Sequence, residues 1–508
     1  MGTSSAFWKM ILVPSLIGYV AFSVCIGRFL GMDEVFFKSA GREWAQSGRF
    51  ASPELTGLKF LQDVDPPIED VWFVHPPAYP FLFGVFIKWV GFGPWQCVLF
   101  DALIHAFLAL LTFLTARKLS RDLPDGWCLG IALAVLPIGY FCRPDELALC
   151  LGMLAVLMVL HESLHWPHVV LSGILIGLSA AASAGAAVVT GLIALTLLAF
   201  GCRSVGRSVH FSYVWGLSAL ISLGLALAPI LVSHPGAYRQ YFAHAADHVG
   251  RGNFLVSFFT NWETEQFHRS ISLACLSLAF VSLFCAGSIL PWNRWLRLWL
   301  APLIGIGVLA VFLPDKVYYL WFLGPWMMAA GAATGRTIRL NLPPLVLKAT
   351  TVWVIAFYAI AIAPFLKNVF IMVSLPESQS LETNARIIRE IIPGGSTVLT
   401  DDYWWVLAPD CRVYDRYFSR PAPETLDYII LMGNGSGDSH VVGAIPEDLA
   451  GYVAEHFRPI HNNINTEPLC LLGKAIPNTA YGFGTMVLQR YGHESNLPVL
   501  SVSRRAPR

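Results

Sequence analysis

Long apolar runs separated by short polar stretches fill the chain as far as about Val373. A helix needs about 20 apolar residues to cross a hydrocarbon core about 30 Å thick, so these runs predict membrane spans. The first run is longer than a signal-peptide core and is not followed by a small-residue cleavage site, which predicts that it is retained. We predict eleven spans, namely Phe7–Leu30, Trp95–Ala116, Gly126–Cys142, Leu147–Leu160, Val169–Ala182, Ala184–Phe200, Ser212–Val232, Ile271–Leu290, Leu298–Phe312, Tyr318–Ala333 and Leu345–Val373.

A shorter apolar stretch, Ala78–Val90, is interpreted differently. As a helix it would be about 20 Å long, which is too short to span, so we expect it to lie in or dip into the outer interface. Basic residues follow the second, sixth, eighth and tenth spans, and basic loops normally face the cytoplasm. They are Arg117, Lys118, Arg121, Arg203, Arg207, Arg294, Arg297, Arg336 and Arg339. This pattern predicts a cytoplasmic N-terminus, with the first loop, residues 31–94, outside.

From about Ser374 the apolar runs shorten to strand length and turn residues appear. This change predicts a transmembrane domain over residues 1–373 and a small extracytoplasmic α/β domain over 374–508. Two cysteines fall in the second domain, Cys411 and Cys470, and the sequence leaves their pairing open. The predicted elements are strands at Ser396–Thr400, Tyr428–Met432 and Leu469–Gly473, and helices at Leu381–Ile392 and Glu447–Phe457.

Composition supports a polytopic α-helical membrane protein. Of the 508 residues, 55% are hydrophobic and 13% are charged, and the mean hydropathy is +0.58, which excludes a soluble cytosolic enzyme and a disordered chain. The net charge of +1 provides no basic excess for nucleic acid. No Walker motif and no G-x-G-x-x-G motif is present, so a pump with its own nucleotide-binding domain is not expected.

Three polar elements are predicted to meet at the outer membrane surface. The acidic pair Asp33-Glu34 follows the first span and precedes the amphipathic stretch Val35–Gln46. His75 stands before two prolines, and the segment Cys142–Glu146 marks the end of the third span. Acidic residues are rare near spans and usually line a cavity, although helix capping alone would also explain an acidic pair at the interface.

A fourth element, Pro314-Asp315-Lys316-Val317-Tyr318-Tyr319, completes an ordered set. This set resembles the glycosyltransferase C (GT-C) superfamily, in particular the bacterial branch of aminoarabinose, galacturonosyl and protein O-mannosyltransferase-like enzymes. The resemblance covers roughly Phe7–Gly335. It implies a GT-C-like fold and an inverting enzyme of the cell inner (plasma) membrane. Such an enzyme moves a single sugar from a polyprenyl phosphate to a glycolipid, polysaccharide or protein acceptor on the outer face.

The reaction needs a carboxylate to accept the acceptor's proton and cationic groups to stabilise the departing phosphate. Asp33 is the expected base, with Glu34 as its substitute, and Asp145 would orient the acceptor or share the base role. His75 stands where the family has a basic residue, and its charge would depend on pH because it is histidine rather than lysine. The candidate phosphate and donor ligands are His75, Arg143, Lys316, Tyr318, Tyr319 and Arg239.

No cofactor is required by this chemistry, and a divalent metal is compatible with it. His244, Asp247 and His248 have helical spacing, which suits either a lid helix or, with a further ligand, a metal site. Asp101 and His105 lie one turn apart inside the second span and could be functional or a buried hydrogen-bonded pair.

Two questions stay open at this stage. In the tail, Asp401-Asp402 precedes Tyr403-Trp404-Trp405, a pattern that fits sugar stacking as well as a domain core. The rival functions are a flippase or transporter for lipid-linked sugars, an oligosaccharide transferase that uses a pyrophosphate-linked donor, and a non-catalytic scaffold. A transporter would favour ionisable residues near the bilayer midplane, whereas here they gather at its outer boundary.

Overall fold

The computed structural model describes most of the chain. It leaves out residues 1–3, 27–32, 57–60, 62, 120–124, 137–142, 162–163, 203, 249–290, 313–316, most of 342–375, 401–402, 417–418, 433–446, 465–469, 472–473, 476–483 and 493–508. The predicted span Ile271–Leu290, most of the predicted span Leu345–Val373, and the Asp401-Asp402 pair therefore lie outside the described residues.

Helices dominate the described chain, as the hydropathy pattern predicts. They are α1 (Ser4–Ile26), α2 (Asp33–Ser47), α3 (Ala78–Val90), α4 (Pro94–Leu119), α5 (Asp125–Val135), α6 (Pro144–Val159), α7 (Trp166–Ala180), α8 (Ala184–Gly201), α9 (Val205–Ser233), α10 (Tyr238–His248), α11 (Trp292–Phe312), α12 (Gly324–Asn341), α13 (Leu381–Ile391), α14 (Trp404–Leu407) and α15 (Glu447–His456).

Among the described residues, three helices are long and apolar enough to cross a membrane: α4, α8 and α9. Shorter apolar segments occur at Met10–Cys25, Ala78–Val90, Trp166–Ala180 and Trp295–Val311. Helix α3 has the bounds that the sequence predicts, and its place at the interface stays a prediction, as does the count of eleven spans. Helix α9 begins earlier than predicted, so Arg207 lies in its first turn rather than in a loop, and its guanidinium donates to the Leu164 carbonyl at 2.8 Å.

The chain divides into two compact units. The first unit contains Met1–Cys25, Phe73–Phe83 and Leu99–Leu366. Within it, α7 and α9 approach so closely that glycine is required at two positions. A Cβ on Gly173 would lie 2.4 Å from the Trp215 carbonyl oxygen, and one on Gly177 would lie 2.3 Å from that of Ala219. Small residues allow this backbone approach between apolar helices.

The second unit contains Ile26–Trp72, Gly84–Val98 and Lys367–Arg508. Its centre is a five-stranded mixed sheet in the order β2-β1-β3-β7-β4, in which β1 is parallel to β2 and β3, and β7 is antiparallel to β3 and β4. The strands are β1 (Thr397–Thr400), β2 (Arg412–Asp415), β3 (Tyr428–Met432), β4 (Phe457–Asn462), β5 (Cys470–Leu471), β6 (Lys474–Ala475) and β7 (Thr485–Arg490).

The predicted strands β1 and β3 lie side by side in this sheet, and the predicted helices correspond to α13 and α15. Within the predicted strand Leu469–Gly473 the structure describes Cys470 and Leu471, which form strand β5 and pair with β6 in a separate two-stranded sheet. Helix α15 covers the sheet with Leu449 and Val453, which pack in one core with Ile429 and Leu488.

Part of the first loop belongs to this second unit. Arg42 of α2 forms a buried ion pair with Glu54, and its guanidinium also donates to the Ala408 carbonyl. The Ser419 hydroxyl donates to the Glu54 carbonyl oxygen. The tail and the first loop therefore share a hydrogen-bonded core. Cys411 has a free thiol in the structure, so the disulfide that the sequence left open is not formed at Cys411.

Candidate active site

The candidate site begins where α6 starts, at the sequence Arg143-Pro144-Asp145-Glu146. Arg143 is the extended residue before the helix, with φ −121° and ψ 148°, and Pro144 occupies the first helical position. Proline suits that position because its missing N–H would have no helical partner there, and acidic residues in the first turn favour the positive end of the helix dipole. Local sequence preferences thus place Arg143 and Asp145 at a helix N-terminus.

Asp145 is held by two donors. Arg143 Nε donates to Asp145 Oδ2 at 3.0 Å, and Ser183 Oγ donates to Asp145 Oδ1 at 2.6 Å. Both charged side chains are largely buried, with 11% of Arg143 and 13% of Asp145 exposed. Ser183 immediately precedes α8, so the carboxylate connects the beginnings of two helices.

The Arg143 guanidinium also contacts Tyr319. Arg143 Nη2 donates to the Tyr319 hydroxyl at 3.2 Å, and its guanidinium carbon lies 5.7 Å from the centre of the Tyr319 ring. Tyr319 belongs to a short 3-10 helix, Val317–Leu323. The structure therefore brings together three of the predicted site residues, Arg143, Asp145 and Tyr319. Lys316 and the side chain of Tyr318 lie outside the described residues.

A second buried polar group lies one residue further along α6. Glu146 is 2% exposed, and its Oε1 is 3.3 Å from His105 Nδ1. His105 Nε2 lies 2.9 Å from the Val135 carbonyl oxygen. Asp101 accepts a hydrogen bond from the Tyr79 hydroxyl at 2.6 Å. Sequence reasoning grouped Asp101 with His105 and missed the Glu146 and Tyr79 partners, because these come from other helices.

His75 and His244, which the sequence analysis treated separately, are in contact. Their rings meet edge to face with centroids 4.7 Å apart. Helix α10 is also tied to the His75 segment by Gln240, whose Oε1 accepts from the Phe73 N–H at 2.7 Å. The side chains of Asp247 and His248 lie outside the described residues, and among the residues that are described no group of three potential ligands could hold a metal ion. Arg239 is exposed on α10.

The acidic pair after the first span belongs to the second unit. Asp33 is the first residue of α2, and nothing further is described of its side chain. Glu34 is 1% exposed, and Lys38 Nζ lies 2.5 Å from its Oε1. Lys38 also donates to the Cys97 carbonyl oxygen at 3.2 Å. This pairing gives Glu34 a structural contact within α2.

Comparisons with known proteins point to one fold. No family model matches the sequence, and no curated protein matches it significantly. Among solved structures, ArnT from Cupriavidus metallidurans bound to undecaprenyl phosphate aligns over 95% of this chain and 97% of its own, with a TM-score of 0.56 and 13% identity. The mycobacterial arabinofuranosyltransferase AftD aligns over 96% of this chain with a TM-score of 0.50 and 13% identity, and the chain spans 40% of its length. The chain therefore shares its fold with ArnT and with part of AftD.

Proposed function

We propose that this protein is an inverting membrane glycosyltransferase that moves a single sugar from a polyprenyl-phosphate donor to a glycolipid, polysaccharide or protein acceptor. Two lines support the proposal. The fold is shared along nearly the whole length of both chains with ArnT, whose structure contains undecaprenyl phosphate. The cluster of Arg143, Asp145 and Tyr319 places a guanidinium, a carboxylate and a phenol together at a helix N-terminus.

The observation that carries the proposal is the way Asp145 and Tyr319 hold Arg143. A guanidinium fixed on one edge by a carboxylate is oriented for planar contacts with phosphate oxygens. Because an arginine side chain in water loses much rotamer freedom on binding, fixing it beforehand lowers that cost. We assign Arg143 and Tyr319 to the donor phosphate, and Asp145 to positioning Arg143 and the acceptor.

The proposed reaction balances without an external energy source. An acceptor hydroxyl or amine attacks the anomeric carbon, its proton passes to a carboxylate, and the carbon–oxygen bond to phosphate breaks. The bonding electrons leave with the polyprenyl phosphate, whose developing charge needs cationic and hydrogen-bonding groups. Asp33 is our proposed base, with Glu34 as its substitute. His75, Lys316, Tyr318 and Arg239 are proposed as further donor contacts.

The proposal includes an arrangement in the inner membrane. The N-terminus is cytoplasmic, residues 1–373 form the transmembrane catalytic domain, and residues 374–508 are extracytoplasmic. The basic residues that follow alternate spans support this orientation. A reporter enzyme that works only outside the cytoplasm is expected to be active when it is fused after Arg508. A signal from a reporter that works only in the cytoplasm would overturn the orientation.

The decisive test uses purified full-length protein with a panel of polyprenyl-phosphate sugars, with the products identified by mass spectrometry. One donor is expected to give a glycosylated acceptor, and Asp33→Asn should lower the rate by about 10²–10⁴-fold, the usual contribution of a general base. Asp145→Asn should also lower the rate. Asp70→Asn changes an exposed acid in the first loop, as Asp33→Asn changes an acid of that loop, and it serves as the matched control that should leave the rate unchanged. Absence of transfer with every donor would overturn the proposal, and full activity of Asp33→Asn would overturn the assigned base.

A further inference from the structure

A cavity of about 750 Å³ lies within the second unit. Its walls come from residues 92–96, at the beginning of α4, from the outward face of α13, and from Trp405 of α14. The volume falls within the range of about 300–1,000 Å³ that is typical of small-molecule sites. Because α4 is apolar enough to span a membrane, the cavity is built partly from the end of a candidate span.

Aromatic side chains form part of the wall. Phe92, Trp95 and Trp405 all line the cavity. Phe92 is held in place, since the Arg42 guanidinium carbon lies 5.6 Å from its ring centre and the Trp404 ring lies 5.3 Å away. A fixed aromatic face is a rigid apolar platform that needs little ordering when a ligand stacks on it.

Trp405 is a rigid part of this wall. Its side chain is only 1% exposed, so the packing around it fixes its position beside the cavity that it lines. A ligand would therefore meet this part of the wall without having to order it first.

Charged side chains complete the lining. Five exposed charged side chains line the cavity, namely Glu377, Glu382, Arg386, Arg389 and Glu390. Within the described chain none of these side chains has a hydrogen bond or an ion pair, although Glu382 and Arg386 are four residues apart on α13, a spacing that allows pairing. Three carboxylates and two guanidinium groups offer both acceptors and donors and leave one net negative charge.

We propose that this cavity binds a saccharide, namely one or more neutral or amino sugar units that stack on the aromatic wall. Sugars combine apolar C–H faces with closely spaced hydroxyl groups, which match aromatic rings beside carboxylates and guanidinium groups. The net negative charge disfavours a phosphorylated glycan and is compatible with an amino sugar. The choice of ligand rests on the proposed function, since a glycosyltransferase that extends a glycan needs a place to hold it.

The test measures binding without any donor, so that it does not depend on catalysis. Full-length protein in detergent is titrated with maltotriose, mannotriose and glucosamine trimer, and binding is followed by tryptophan fluorescence and calorimetry. At least one trisaccharide should bind saturably. Trp405→Phe replaces a two-ring side chain by a one-ring side chain and so reduces the aromatic wall, which should weaken binding about tenfold.

Two further variants keep the result interpretable if Trp405→Phe fails to fold. The double variant Glu382→Gln/Arg386→Gln changes exposed side chains and should also weaken binding at least tenfold. Glu455→Gln, at an exposed acid of α15 in the same unit, is the control and should bind like the unmodified protein.

The proposal is overturned if no trisaccharide binds saturably or if the double variant binds as well as the control. It is also overturned if a parallel titration with phosphatidylethanolamine shows binding and the trisaccharide titrations show none. Saturable binding that depends on these residues, in a protein that transfers no sugar from any donor, would support the cavity and overturn the proposed function. Sugar transfer by a protein that binds no trisaccharide would support the proposed function and overturn the proposed saccharide site.

Discussion

The buried pair Arg42–Glu54 allows a test of what stabilises the second unit: the ion pair itself, or the other contacts that Arg42 makes. Arg42 contacts three groups, namely the Glu54 carboxylate, the Ala408 carbonyl oxygen and the Phe92 ring. Glu54 Oε2, by contrast, has no hydrogen-bond partner among the described residues. We therefore expect the two residues to differ strongly in their effect on stability when each is replaced.

Removing Arg42 should be costly. Arg42→Met loses a charge-assisted hydrogen bond to Ala408 and the contact with Phe92, and it leaves a buried carboxyl group without its cation. Breaking a buried pair in this way costs about 3–5 kcal/mol. For a cooperative unit of roughly 200 residues, this corresponds to a fall in Tm of about 6–20 °C.

Neutralising Glu54 should be mild. Burial raises the pKa of Glu54 above its ordinary value, and Arg42 only partly opposes this effect. The neutral form is therefore favoured more in the folded protein than in the unfolded chain. Gln resembles that neutral form and keeps an oxygen for Arg42, so Glu54→Gln should change the free energy of unfolding by no more than about 1 kcal/mol.

The pKa shift also sets the sign of a pH dependence. A carboxyl group whose folded pKa is raised contributes its full stability below the unfolded value near 4.5, and this contribution is lost as the pH rises through the folded pKa. The unmodified protein should therefore lose stability relative to Glu54→Gln as the pH rises above 4.5.

The assay is thermal unfolding of the purified protein in detergent, followed by intrinsic fluorescence at a series of pH values. Three proteins are compared: the unmodified chain, Arg42→Met and Glu54→Gln. Equal losses of Tm for the two variants at neutral pH would refute the reasoning, because the ion pair itself would then hold the unit. A pH-independent difference between Glu54→Gln and the unmodified protein would refute the assigned pKa direction.

Three other outcomes are expected. Tyr319→Phe removes the hydroxyl that accepts from Arg143 and should lower kcat/KM for the donor about 10–100-fold in a steady-state assay. Gly177→Ala places a Cβ against the Ala219 carbonyl and should cost about 1–3 kcal/mol in thermal unfolding, whereas Gly224→Ala, where nothing lies within 4 Å, should not. Burial lowers the pKa of His461, so stability should fall as the pH drops below 6.5, and His461→Gln should abolish that part of the pH profile.

Much of the helical fold could be predicted because hydropathy acts locally. The segment Ala78–Val90 has the same bounds in the sequence prediction and in the structure. The sheet was harder to predict, since β2 has only four residues and β4 carries polar residues, and Pro459 within β4 argues against a strand. These strands form because neighbouring strands pair with them, which a local pattern does not reveal.

The candidate site shows the same limit. Arg143, Asp145 and Tyr319 could be chosen from the sequence because charged and phenolic groups are rare beside apolar runs. The sequence prediction did not include Ser183, and it treated His75 and His244 as separate features although their rings are in contact. An isolated serine between two apolar helices has no sequence signature, and a ring contact between distant segments depends on how the helices pack.

The interleaved course of the chain through the two units has a consequence for how such proteins diverge. Residues 26–72 and 84–98 pack with the tail, yet they are encoded far from it. A recombination event that replaced only residues 374–508 would separate Arg42 from Ala408, and Glu54 from Ser419. The tail is therefore not an exchangeable cassette, and changes in it should be accompanied by matching substitutions in the first loop.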